Sequence, residues 1–99
     1  MMEIIKTING NSLSVRPIGR LDTGTAPQLE SELRSGLEGI TDLVIDLSGM
    51  EYISSAGLRV LLFAQKTMNK QGKMTVRNVN SDVMEVFDIT GFSDILTIE

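Results

Sequence analysis

Leu43-Val44-Ile45 is a nearly unbroken apolar run, closed by Leu47 after Asp46, and it leads through a short turn into a second apolar block that starts at Leu58. Such a run, with β-branched members, reads as a strand buried on both faces, the kind found in parallel sheets. Ser48, Gly49 and Met50 supply the turn, Tyr52-Ile53 return to apolar material, and Ser54-Ser55-Ala56-Gly57 open the helix. A buried strand that hands over to an apolar helix predicts an α/β architecture. It also predicts two hydroxyls at a helix N-terminus. Unpaired backbone N–H groups and the positive end of the helix dipole favour negative charge there.

The flanking segments read as scaffold. Glu3 to Ile8 carries Ile4, Ile5 and Ile8 and predicts a first strand, and Asn9-Gly10 signals a tight primed turn. Ser12 to Ile18 alternates, Leu13 and Val15 against Ser14 and Arg16, as a half-buried strand does; Pro17 places that end at an edge or a bulge. Gly19 to Thr23 is expected to leave the sheet as a polar loop. Thr25 to Gly39 predicts an amphipathic helix. Thr25 and Gln28 fit a capping box, Pro27 sits in the first turn, and Ala26, Leu29, Leu33 and Leu37 form one stripe, with Gly39 as C-terminal cap.

The second helix runs from Ser55 to Gln71, with Leu58, Leu61, Leu62 and Met68 on one side and Val60, Phe63 and Ala64 widening the arc. Either it is covered on two sides or part of that arc is a partner surface; burial is the preferred reading for most positions. Met74 to Val79 predicts another strand. Ser81 to Thr90 predicts a third helix capped by Ser81 and ended by Gly91 and Phe92, and Ile95 to Ile98 a last short strand. The sum is a mixed β-sheet, an N-terminal hairpin plus parallel strands, with helices packed over it.

Composition bounds the chemistry. The 99 residues are expected to form one domain, and 41% hydrophobic residues are too many for a disordered chain. There is no His and no Cys, which excludes thiol nucleophiles, Cys/His zinc sites and Ser-His-Asp triads within the chain. No G-x-S-x-G elbow, P-loop or G-x-G-x-x-G is present, so Asp22, Asp46, Glu51 and Ser55 do not read as an active site. Asp46 reads instead as a cap on the strand end or the turn. No enzyme, no metal and no cofactor is expected. A net charge of −4 with no basic tract gives no support for nucleic acid or an anionic membrane as partner. No window approaches a membrane span and the first residues are too poor in apolar character for a signal peptide, so the cytoplasm is the expected location.

The central stretch resembles the core of STAS domains, specifically the bacterial anti-sigma factor antagonists. In that family a strand ending in D-L-S leads through an aromatic–apolar pair into D-S-[ST]-G-L and a helix. The matching residues here are Asp46, Leu47, Ser48, Tyr52, Ile53, Ser54, Ser55, Ala56, Gly57 and Leu58. The departure is Ser54, which stands where the best-studied members have aspartate. Val86 to Phe92, VFDITGF, also resembles the family's L-F-x-x-[ST]-G-[LF], so the resemblance runs from Glu3 to Ile98. Family members add a final helix after the last strand; the chain ends at Glu99 without one, which is expected to leave an apolar sheet face or groove uncovered.

The resemblance implies a phosphorylation switch at Ser55, with Ser54 the lesser candidate acceptor. It implies that the unphosphorylated form binds an anti-sigma factor that is itself a serine kinase and so frees the sigma factor. Phosphate on Ser55 then ends binding, and a serine phosphatase restores it. Asp22, Ser54, Ser55, Ala56, Gly57 and Arg59 are the expected partner contacts. Two of them carry a second reading: Asp22 as an Asx-turn residue and Arg59 as a solvated helix residue. Ser54 or Ser55 also reads as a plain helix N-cap. The alternative function is a STAS module that senses a small ligand or nucleotide, or a scaffold in a signalling assembly, without phosphorylation.

Overall fold

The structure, a computed structural model, describes residues 2–99. Strands β1 (Glu3–Asn9) and β2 (Ser12–Leu21) form the antiparallel hairpin. Its loop is Gly10-Asn11, one position later than expected, because Asn9 still pairs with Ser12. Gly10 takes φ +63° and Asn11 does not follow it into the left-handed region, the pattern of a type II′ turn.

The alternation in β2 is as read: Leu13 and Val15 are buried, and Ser14 and Arg16 are only partly covered. The strand does not end at Ile18. Strand β4 (Met50–Ile53), which the sequence pattern did not reveal, pairs with it in parallel, Gly19 against Met50 and Leu21 against Ile53, with a bulge between Gly19 and Arg20. The expected polar loop over Gly19–Leu21 is therefore sheet. Pro17 lies where β2 passes from its ladder with β3 (Asp42–Asp46), ending at Val15–Ile45, to its ladder with β4. Its missing donor falls between the two.

Strand β5 (Lys73–Arg77) pairs in parallel with β3, giving the order β1-β2-β3-β5 with β4 beside β2. Leu13, Leu43 and Met74 form one buried row across the sheet, and Val15, Ile45 and Val76 the next. Helices α1 (Ala26–Gly36) and α2 (Ser55–Gln71) connect parallel strands that advance in one direction, so right-handed crossovers place both on this face. Leu29, Leu33, Leu61, Ala64 and Met68 are fully buried there. The expectation of a strand buried on both faces is corrected: Val44, pointing the other way, is only half-buried.

Helix α1 ends at Gly36 with Leu37 as cap, so Gly39, left-handed at φ +78°, lies in the loop beyond it. The expected capping box does not form. Thr25 Oγ1 donates to the Arg20 carbonyl at 2.7 Å, and Gln28 Nε2 reaches the Met2 carbonyl at 2.9 Å. Helix α2 has the expected bounds. Gly72, just after it, has extended φ; glycine is needed because a Cβ would lie 2.0 Å from the Thr41 carbonyl oxygen.

Helix α3 (Ser81–Thr90) is capped by Asn80, not Ser81: Asn80 Oδ1 accepts from Val83 N at 2.8 Å. Asn78, at φ +59°, is already outside β5. The last strand shrinks to one parallel bridge, Ile98 to Val76. Ile95 N and Leu96 N both donate to the Phe92 carbonyl, which holds those residues in a 3-10 turn (Phe92–Asp94 and its cap) instead. No helix among the described residues is long and apolar enough to cross a membrane.

Candidate functional site

The serine turn is built on the ends of two parallel strands. Ser54 N donates to the Leu21 carbonyl at 2.9 Å, continuing the β2–β4 ladder by one bond as the chain leaves the sheet. Ser54 is extended, at φ −99° and ψ 176°, and acts as the N-cap: its Oγ accepts from Gly57 N at 3.4 Å, and its carbonyl from Leu58 N at 2.9 Å. Ser55 is then the first helical residue and is exposed. Since its neighbour does the capping, no hydrogen bond to the described residues holds its hydroxyl.

Gly57 fixes how that turn sits. It is buried, and a Cβ on it would lie 2.7 Å from Leu21 Cγ and 2.9 Å from Ile53 Cγ1. The helix is therefore seated directly on the two strand ends. Of the residues proposed to meet a partner, Ser55 and Arg59 are exposed, Asp22, Ser54 and Ala56 are half-buried, and Gly57 offers no surface of its own.

Beside the turn, Arg20 and Tyr52 pair across β2 and β4, with the guanidinium 4.3 Å from the ring centroid. Arg20 also lies 4.0 Å from Asp22. Asp22 Oδ1 accepts from Gly24 N at 3.0 Å and Thr25 N at 3.1 Å, so it forms the Asx-turn that leads into α1. Partial desolvation pulls its pKa up, but the Thr25 and Gly24 amides, the Thr25 hydroxyl and Arg20 outweigh it and hold the carboxyl below its ordinary value. Asp46 is fastened the same way at the end of β3. It accepts from Ser48 N at 2.9 Å and Asn78 Nδ2 at 3.0 Å. Desolvation again opposes the shift, and these bonds together with the Ser48 hydroxyl and Arg16 again lower the pKa.

Along α2 the exposed side carries Arg59, Lys66 and Lys70 around half-buried Leu62 and Phe63, and the helix contains no acidic residue. Arg34 of α1 covers the Phe63 ring at 4.3 Å. No group of three or more acidic, His or Cys residues among the described residues can hold a metal. The sequence did not bring Arg20 and Tyr52 together. The signal was β4 itself, four residues that are buried only at the two ends and show no alternation to read.

The fold is an α/β sheet that displays an exposed serine at the start of α2, beside the Arg20–Tyr52 stack. The chain belongs to the STAS domain family, among its anti-sigma factor antagonists: the STAS domain family model matches residues 3–99. It is 35% identical over 91 residues to the anti-sigma-B factor antagonist of Bacillus subtilis, covering 91% of this chain and 84% of that one. The anti-sigma factor antagonist of Mycobacterium paratuberculosis superposes with a TM-score of 0.90 at 23% identity, over 99% of this chain and 85% of the other. The Bacillus cell fate determinant SpoIIAA in its phosphorylated form superposes at 0.75 and 14% identity, over 100% and 91%. The anti-sigma factor antagonists among these relatives are regulatory binding proteins and not enzymes.

Proposed function

We propose that this protein is an anti-sigma factor antagonist switched by phosphorylation of Ser55. The unphosphorylated form binds an anti-sigma factor with serine kinase activity, and a serine phosphatase resets the modified form in the cytoplasm. The observation that carries this reading is the position of Ser55: first in α2, exposed, and relieved of capping by Ser54. Phosphate there adds about −1.5 to −2 charges. The helix N-terminus accepts such charge with a gain of about 0.3–1 kcal/mol, so the fold survives. A partner that docks on the turn and presents its own negative charge does not accept it. Each ~1.4 kcal/mol of repulsion is about tenfold in affinity.

The exposed side of α2 supports a partner with an acidic docking face, since it presents Arg59, Lys66 and Lys70 and no carboxylate. The name of the Bacillus subtilis relative and the phosphorylated form of SpoIIAA support the same reading. The test is incubation with ATP and the serine kinase anti-sigma factor of the same cell, followed by intact mass. One added phosphate that maps to Ser55 and disappears in Ser55→Ala, with Ser55→Ala still binding the kinase, is the expected result. No added phosphate ends the proposal and leaves an unmodified module, and addition at Ser54 instead of Ser55 overturns the assignment of the acceptor.

A further inference from the structure

Helices α2 and α3 carry opposite charge on their exposed sides. On α2 a groove of about 370 Å³ is lined by Arg59, Leu62, Phe63, Lys66, Thr67 and Lys70. Half-buried Leu62 and Phe63 give it an apolar floor, exposed Arg59, Lys66 and Lys70 give it a cationic rim, and the helix holds no carboxylate. On α3 the exposed residues include Asp82, Glu85, Asp88 and Ile89, and that helix holds no basic residue. Ile89 is 78% exposed, more than any other large hydrophobic among the described residues. None of these charged groups is in an ion pair among the described residues. Each face therefore lacks what the other presents: α3 offers an apolar side chain ringed by carboxylates, and α2 an apolar groove ringed by cations.

We propose that the α2 groove of one copy receives the exposed side of α3 from a second copy of this chain, the two helices antiparallel. Residues three and four apart stand one turn apart on the same side of a helix. Lys70, Lys66 and Phe63 thus follow one another turn by turn in one direction along α2, and Asp82, Glu85 and Ile89 do so in the opposite direction of numbering along α3. Antiparallel, Lys70 meets Asp82, Lys66 meets Glu85, and Ile89 enters the groove at Leu62 and Phe63. Arg59, a turn further on, lies beside the end of α3 that carries Asp88. Run parallel, the same charge pairs carry Ile89 past the last turn of α2, where it finds no apolar side chain.

The match in sign, spacing and apolar position selects a second copy as the occupant. Opposite charges meet at every paired turn, and the contact is neutral in sum although the chain carries a net charge of −4. The contact joins two different faces, so each copy holds one half of it and can also offer the other half. It does not depend on modification of Ser55. Its consequence is that high concentration withdraws α2 from other partners.

Sedimentation velocity of the intact chain from micromolar to millimolar concentration tests this. The wild-type chain is expected to associate reversibly, and added salt is expected to weaken the association. Lys66→Glu with Lys70→Glu spoils the α2 face alone, and Glu85→Gln with Ile89→Ser spoils the α3 face alone. All four positions are exposed, so the circular dichroism spectra are expected to stay unchanged. Each variant by itself is expected to be monomeric. Mixed, they bring together one intact α2 and one intact α3 and are expected to form a one-to-one dimer. A wild-type chain that stays monomeric throughout, a variant that self-associates as the wild type does, or a mixture that remains monomeric overturns the proposal.

Discussion

Arg20 lies over the ring of Tyr52, 4.3 Å from its centroid, and so joins β2 to β4 immediately before the serine turn. Both side chains are partly exposed, which sets the scale at about 0.5–1 kcal/mol for the contact. A double-mutant cycle of Arg20→Ala and Tyr52→Ala, read by urea denaturation, should give a coupling energy of that size. A coupling of zero means the stacked geometry is not held in solution.

The two serines divide the labour, and stability measurements separate them. Ser54→Ala removes the N-cap and should destabilise the protein by about 0.5–1 kcal/mol, toward the low end of such losses because the Oγ contact is long at 3.4 Å. Ser55→Ala removes a hydroxyl without a partner and adds a good helix former, so the urea midpoint should stay level or rise. Equal losses in both variants contradict the assignment of roles.

Gly57 and Gly72 are predicted to fail for the same reason to different degrees. At Gly57 an added Cβ meets the side chains of Leu21 and Ile53, which have some room to shift, and Gly57→Ala should cost about 1–3 kcal/mol. At Gly72 the obstacle is the Thr41 backbone at 2.0 Å, which also accepts a ladder bond from Lys73 N. Gly72→Ala should therefore be the more damaging of the two in a thermal melt, although the φ of Gly72 suits any residue.

Much of this architecture was legible because single segments specified it. The buried run Leu43–Ile45, the alternation around Leu13 and Val15, and the bounds of α2 needed no distant partner to be read. What escaped depended on pairing. Met50–Ile53 becomes a strand only because the end of β2 lies beside it, and the same contact draws Gly19–Leu21 into the sheet. Thr25 gives up its cap because Asp22 and Arg20 compete for its hydroxyl. The serine pair was visible as a turn, but which one caps and which one is displayed rested on a single bond from Gly57 N.

Acid sensitivity should trace to Asp22 and Asp46. Both have folded-state pKa values below the ordinary one. A depressed pKa contributes stability that is present above the unfolded-state value and is lost as pH falls through the folded-state value. The urea midpoint should therefore hold as pH falls to about 4 and decline below it. Asp22→Asn and Asp46→Asn should each flatten that decline. Since the chain has no histidine, no step is expected from side-chain titration between about pH 5 and 8. A decline of the same slope in both variants removes these carboxylates as its cause.

In the proposed switch, charge on α2 ties association with the proposed kinase partner to the state of Ser55. Arg59, Lys66 and Lys70 give the helix three positive charges in a chain of net charge −4. Steering by such a patch raises association rates at low salt and fades as salt is added. Association with the kinase, followed by stopped-flow fluorescence, should slow by about tenfold or more between low and high ionic strength. Lys66→Glu combined with Lys70→Glu should slow it at low salt and flatten the salt dependence, while leaving the urea midpoint nearly unchanged because both side chains are exposed. Phosphate on Ser55 places about −1.5 to −2 charges one turn from Arg59 and should act in the same direction. If the double charge reversal leaves the rate and its salt dependence intact while Ser55 phosphate still blocks binding, repulsion at the turn alone operates the switch.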